Sequence, residues 1–162
     1  MNDLTAWLNH QFLSLQSDWR ELIDSADPEK IYKKPSPRSL SFGEQIVRSA
    51  GAVEQTFDGI TANLWDDPFE WTLPENLTSR EKLLEYFDEV GITRRRGFEL
   101  FKSDEDLMKE VMTPSGKMQL VSLLLNTLLR ARDHLLTALE IQKQVEVADE
   151  GIHKPSVGAN VG

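Results

Sequence analysis

Cysteine is absent from the 162 residues of this chain. Its absence excludes disulfides, thiolate zinc sites and cysteine nucleophiles together, and fits a reducing compartment. No apolar run approaches the roughly 18 residues that span a bilayer, so no membrane partner is expected. The opening Met1-Asn2-Asp3-Leu4 and the early Asp18 leave no uninterrupted apolar leader. A secretory signal is therefore not expected, and a cytoplasmic protein is. Cations are the minority charge: 18 Lys and Arg stand against 27 Asp and Glu, a formal net charge of -9. Such a surface repels polyphosphate, which argues against nucleic acid as a partner. Also missing are a Gly-x-Ser-x-Gly elbow, a Walker loop, a His-Glu-x-x-His pair and a glycine-rich dinucleotide turn. No motif argues for an enzyme.

What the chain does contain is helical periodicity. Leu4, Trp7, Leu8, Phe12, Leu15, Trp19, Leu22 and Ile23 recur at spacings of three and four, predicting a helix over Asp3 to Ser25. Asp27-Pro28 ends it, and Pro28, Pro35 and Pro37 enforce an extended connection. Ser41-Phe42-Gly43-Glu44 is a capping box that starts a second helix, with Phe42, Ile46, Ala50, Val53, Phe57, Ile60 and Leu64 on its buried face. Thr78-Ser79-Arg80-Glu81 reads as a second capping box, followed by the stripe Leu83, Leu84, Phe87, Val90, Phe98 and Phe101. Gly91 and Gly97 interrupt this third helix, either kinking it or admitting a close neighbour. A stop and short restart at Ser103-Asp104-Glu105-Asp106 precede the turn Thr113-Pro114-Ser115-Gly116. A fourth helix is predicted from about Lys117 to Val147, carrying Leu120, Val121, Leu124, Leu125, Leu128, Ala131, Leu135, Ala138, Leu139 and Ile141.

No alternation of period two is evident, so strands are not expected. Four amphipathic helices hide their stripes by packing together, which predicts an all-α four-helix bundle over residues 1–150. The connections are unequal, so tight up-and-down turns are not required. Residues 151–162, with Pro155, Gly158 and Gly162, are expected to form a flexible tail. The loop from Trp65 to Leu77 holds Trp65, Phe69 and Trp71, more aromatic surface than a solvated loop needs. It is expected to fold over one end of the bundle or into a subunit interface.

Three elements carry a resemblance to a known family. Ser41-Phe42-Gly43-Glu44-Gln45-Ile46-Val47-Arg48-Ser49-Ala50-Gly51 resembles the helix-two motif of the DinB/YfiT-like bacterial four-helix bundles, and Ser103-Asp104-Glu105-Asp106-Leu107 leading to Thr113-Pro114-Ser115-Gly116 is similar to that family's run into helix four. The span Leu123 to Ile141 matches the helix where members carry histidines at i and i+4. The resemblance covers about residues 40 to 142 and implies long crossover connections and a homodimer. It also implies a divalent metal such as nickel or zinc, held by one histidine from helix two and two from helix four. In this chain those positions fall at Arg48, Arg130 and His134, with Asp133 beside them, so only His134 matches.

A guanidinium has no lone pair and keeps its proton, so Arg48 and Arg130 cannot ligate a cation. The expectation is a bundle without the usual metal site or cofactor, acting as a non-catalytic binding or interaction protein. The alternative is a metal-dependent thiol transferase of this family with a divergent site around His134. Arg130 and His134 share a helical stripe, either as the polar lining of a pocket or as an ordinary boundary pair with Arg132 and Asp133 facing water. Arg48 lies off the Ile46, Val53, Phe57 stripe, so it is solvated unless a pocket opens on that flank. A mixed site using Glu54, Asp58 and a histidine (His10, His134 or His153) is a further option. Arg94 falls on the apolar stripe of helix three and should be partly buried against a carboxylate, whereas Arg95 and Arg96 face water. Arg94, Arg48 and Arg130 together would make a pocket for a small anion.

Overall fold

The computed structural model describes residues 3–68 and 77–153, apart from the side chains of residues 152 and 153. Among them are four α-helices and one small hairpin: α1 (Asp3–Ser25), α2 (Phe42–Ala62), α3 (Arg80–Glu99), β1 (Glu110–Thr113), β2 (Gly116–Gln119) and α4 (Leu120–His153). A 3-10 turn, Asp104–Met108, precedes the hairpin. The chain is thus mostly helical. None of its described helices is long and apolar enough to cross a membrane.

The helix starts follow capping chemistry. Ser41 Oγ accepts from the Glu44 amide at the head of α2. At α3 the cap is Ser79, whose hydroxyl accepts from the Lys82 amide, one residue later than the Thr78 box predicted. Asp104 reaches back to α1: its carboxylate accepts from the amides of Leu4 and Thr5 and from the Thr5 hydroxyl. Three donors hold its carboxyl below the usual range, the Thr5 hydroxyl most strongly. A distant acid thereby caps the first turn of α1.

Cross-helix bonds set the directions. Asn9, Gln16 and Arg20 of α1 meet Arg94, Phe87 and Leu84 of α3, so this pair is antiparallel. Gln45, Ser49 and Thr56 of α2 meet His134, Ala131 and Thr127 of α4, again antiparallel. α2 and α3 run parallel, since Glu54 meets Tyr86 and Phe57 meets Phe98 further along both. The end of α2 and the start of α3 therefore lie at opposite ends of that pair. The Arg132 to Asp18 ion pair at 3.6 Å ties α4 to α1.

One core fills the space between the helices, with Leu8, Phe12, Trp19, Phe57, Phe87, Val90 and Leu124 almost wholly buried. Each such side chain contributes about 1.5–3 kcal/mol. Phe12, Phe57 and Phe98 form an aromatic triangle with centroids 5.3, 6.0 and 5.5 Å apart. The glycines of α3 admit close neighbours: a Cβ on Gly97 would lie 2.4 Å from the Phe57 ring, and one on Gly91 2.4 Å from Gln16.

Several sequence expectations require correction. Strands do occur, pairing Glu110 with Gln119, Val111 with Met118, Met112 with Lys117 and Thr113 with Gly116. Four residues per strand give too few alternations for a period-two signal. Pro114 and Ser115 close the hairpin, Gly116 adopts a positive φ of 115°, and Thr113 Oγ1 donates to the Gly116 carbonyl. Lys117 to Gln119 therefore belong to β2, and α4 starts only at Leu120. At its far end α4 continues through Gly151 to His153, and residues 154–162 lie outside the described residues. Leu64 is exposed, because α2 ends at Asn63 in a left-handed cap with φ 54°. Leu125 is also largely outside the core.

Candidate functional site

α2 and α4 pack closely, and along their seam the polar residues of both helices converge. On α2, Gln45, Arg48, Ala52, Gln55 and Gly59 succeed one another at spacings of three and four, a flank separate from the core stripe. On α4, Thr127, Arg130 and His134 do the same, with Asn126 four residues before Arg130. Arg48, Ala52, Gln55, Asp67, Arg130 and His134 line a small cleft of about 70 Å³. A pocket thus opens on the Arg48 flank. Small Ala52 leaves the room, since larger side chains there would fill it.

The histidine of this cleft is electrically constrained. His134 Nδ1 lies 2.9 Å from Gln45 Oε1. Donation from Nδ1 to this amide oxygen leaves the lone pair on Nε2. Burial lowers its pKa from 6.5, and the Arg48 and Arg130 guanidiniums lower it further, against opposing pulls from Asp133 and Asp67. The ring is neutral at pH 7. Arg130 is exposed and makes no ion pair among the described residues. Asp133, the fourth predicted residue, is exposed and does not line the cleft. Its backbone carbonyl accepts from Thr137.

A second and larger lobe of about 280 Å³ continues from this cleft, sharing Gln55 and Arg130 with it. Trp65, Pro114, Met118 and Leu123 supply its apolar surface, and Thr113, Ser115 and Asn126 its polar rim. Thr56 and Thr127 also line it, 2.6 Å apart, and Thr127 donates in turn to the Leu123 carbonyl at 2.9 Å. Gln55 Nε2 donates to the Trp65 carbonyl at 2.9 Å, and Trp65 Nε1 donates to Asn63 Oδ1 at 2.9 Å. The indole lies where a Cβ on Gly59 would sit, only 2.3 Å from ring carbons. This lobe was not legible in the sequence, because one wall is the hairpin that periodicity missed. Of the aromatic loop, Trp65 folds onto α2, while Phe69 and Trp71 lie outside the described residues.

The other predicted positions fall elsewhere. Arg94 is only 4% exposed and does not join Arg48 and Arg130 in the cleft. It donates to the amide oxygen of Asn9, and its Nε has no partner among the described residues. The expected carboxylate partner is an amide instead. Burial, followed by the charge on Arg95, lowers its pKa. Arg95 and Arg96 are exposed. Glu54 accepts from the Tyr86 hydroxyl at 2.5 Å, and burial raises the carboxyls of both Glu54 and Asp58. His10 is exposed on α1. Among the described residues no three His, Asp or Glu side chains group closely enough to hold a metal ion.

No known family model matches the chain, and no curated protein matches it in sequence.

Proposed function

We propose that this protein is a DinB/YfiT-like four-helix bundle in which the family's metal position has become a cleft for a small anion. In this reading it is a non-catalytic binding protein. The single observation that supports it is the convergence of Arg48, Arg130 and His134 on one cleft. These are the three positions where the resemblance places metal ligands. The antiparallel α2 and α4 pair, the parallel α2 and α3 pair and the unequal connections agree with a bundle built on crossovers.

The residues present do not fit a divalent ion. Two guanidiniums offer no lone pair, leaving one imidazole nitrogen as donor beside the single carboxylate of Asp67. The same residues suit a monoanion: Arg130 offers a forked donor set, and the neutral imidazole does not repel. The reading also includes a homodimer, supported by the exposed leucines Leu125, Leu129 and Leu136 along one side of α4. A monomeric mass by light scattering would contradict the dimer.

Calorimetric titration with acetate, sulfate and inorganic phosphate tests the anion site. A charge-assisted hydrogen bond contributes about 1.5–3 kcal/mol, so Arg130→Gln should weaken the bound anion by roughly ten- to a hundredfold. Absence of any anion binding, or binding indifferent to Arg130→Gln, would overturn the proposal.

A further inference from the structure

The large lobe beside the arginines carries information about what the ligand is. Its volume, about 280 Å³ against about 70 Å³ for the arginine cleft, means that most of any ligand would lie beyond Arg130, under the hairpin. That is room for one ring system. The lobe's floor is polar in composition but closed in chemistry. Thr127 spends its proton on the Leu123 carbonyl and receives that of Thr56, so neither hydroxyl has a proton to offer. Trp65 forms a wall whose position is fixed at two points, by Gln55 on its carbonyl and by Asn63 on its Nε1. Its ring is further set by the space over Gly59. A wall held in advance lets a flat ligand bind without ordering it first.

The charged end is equally selective. Arg130 stands where the two lobes meet, so the acid group of a ligand with its body under the hairpin would be held there. The small lobe is lined by two cations, Arg48 and Arg130, and one anion, Asp67, a net of one positive charge that a single negative charge balances. A monocarboxylate therefore suits the site better than a phosphate monoester. Resting on the anion reading above, we infer that the ligand class is an aromatic monocarboxylate, its ring against Trp65, Met118 and Leu123 and its carboxylate on Arg130.

Calorimetry on the full chain tests this with five probes: benzoate, phenylacetate, acetate, benzyl alcohol and phenyl phosphate. Benzoate or phenylacetate should bind at least about tenfold more tightly than acetate, reflecting burial of the ring. Each should also exceed benzyl alcohol and phenyl phosphate. Arg130→Gln should remove the advantage over benzyl alcohol. Met118→Trp, which fills the lobe from the hairpin, should abolish the aromatic preference. If acetate and benzoate bind equally, the aromatic inference fails and the anion reading stands. If benzyl alcohol matches benzoate and Arg130→Gln changes nothing, both the inference and the anion reading fail. If no anion binds, both fail likewise.

Discussion

His134 Nδ1 and Gln45 Oε1 stand 2.9 Å apart across the α2 and α4 seam, and this contact decides which nitrogen of the ring faces other partners. Burial and two neighbouring guanidiniums then keep the ring uncharged. A histidine with a depressed folded pKa binds fewer protons folded than unfolded. Stability is therefore fully present above the unfolded value of 6.5 and declines as pH falls below it toward the folded pKa. A proton NMR titration should place the His134 midpoint below 6.5 in the native protein. Arg130→Gln should move it upward. A midpoint at or above the free-histidine value would contradict the electrostatics described for the cleft.

Ser49 joins three elements in the interior: it accepts from Trp19 Nε1 at 2.8 Å and donates to the Ala131 carbonyl at 2.6 Å. Ser49→Ala strands the buried indole N–H. Denaturation by urea should show a loss of about 1–3 kcal/mol, the cost of one unsatisfied buried group. The cleft lies on the neighbouring flank, so anion affinity should change little. An unchanged midpoint would mean that the indole finds another acceptor.

Arg94 and Asn9 make an asymmetric pair. Asn9→Ala removes the one side-chain acceptor found among the described residues for a buried guanidinium and should cost about 1–3 kcal/mol. Arg94→Met removes the charge itself while keeping an apolar stem of similar reach, and should leave stability equal or higher. Thermal denaturation of the two variants checks the order. Arg94→Met being the more damaging would show that the charge has a stabilising partner.

The scaffold was readable because helices announce themselves locally. Asp3 to Ser25 and the Ser41 cap were placed by spacing and by one hydroxyl, and both agree with the structure. The start of α4 was misplaced because Lys117 to Gln119 are committed to β2 through pairing with residues 110–112, a contact that periodicity along one helix does not encode. Arg94 was correctly read as buried, but its partner lies on α1, 85 positions away in sequence, where nothing local distinguishes an amide from a carboxylate. Arg48, Arg130 and His134 line one cleft in the structure. Gln45, Gln55, Asp67 and the hairpin wall were missed. Each matters only through a neighbour from another element, Gln45 through His134 and Gln55 through Trp65.

The most direct test of the account is metal binding by Arg48→His/Arg130→His beside the untagged native chain, read by calorimetry with zinc and nickel. The double variant should gain about one ion per chain, since three imidazoles would then surround one cleft, a ligand set that zinc accepts. The native chain should bind none there. A stoichiometric ion on the native protein, or no gain in the variant, would contradict the claim that these two arginines occupy a converted metal position.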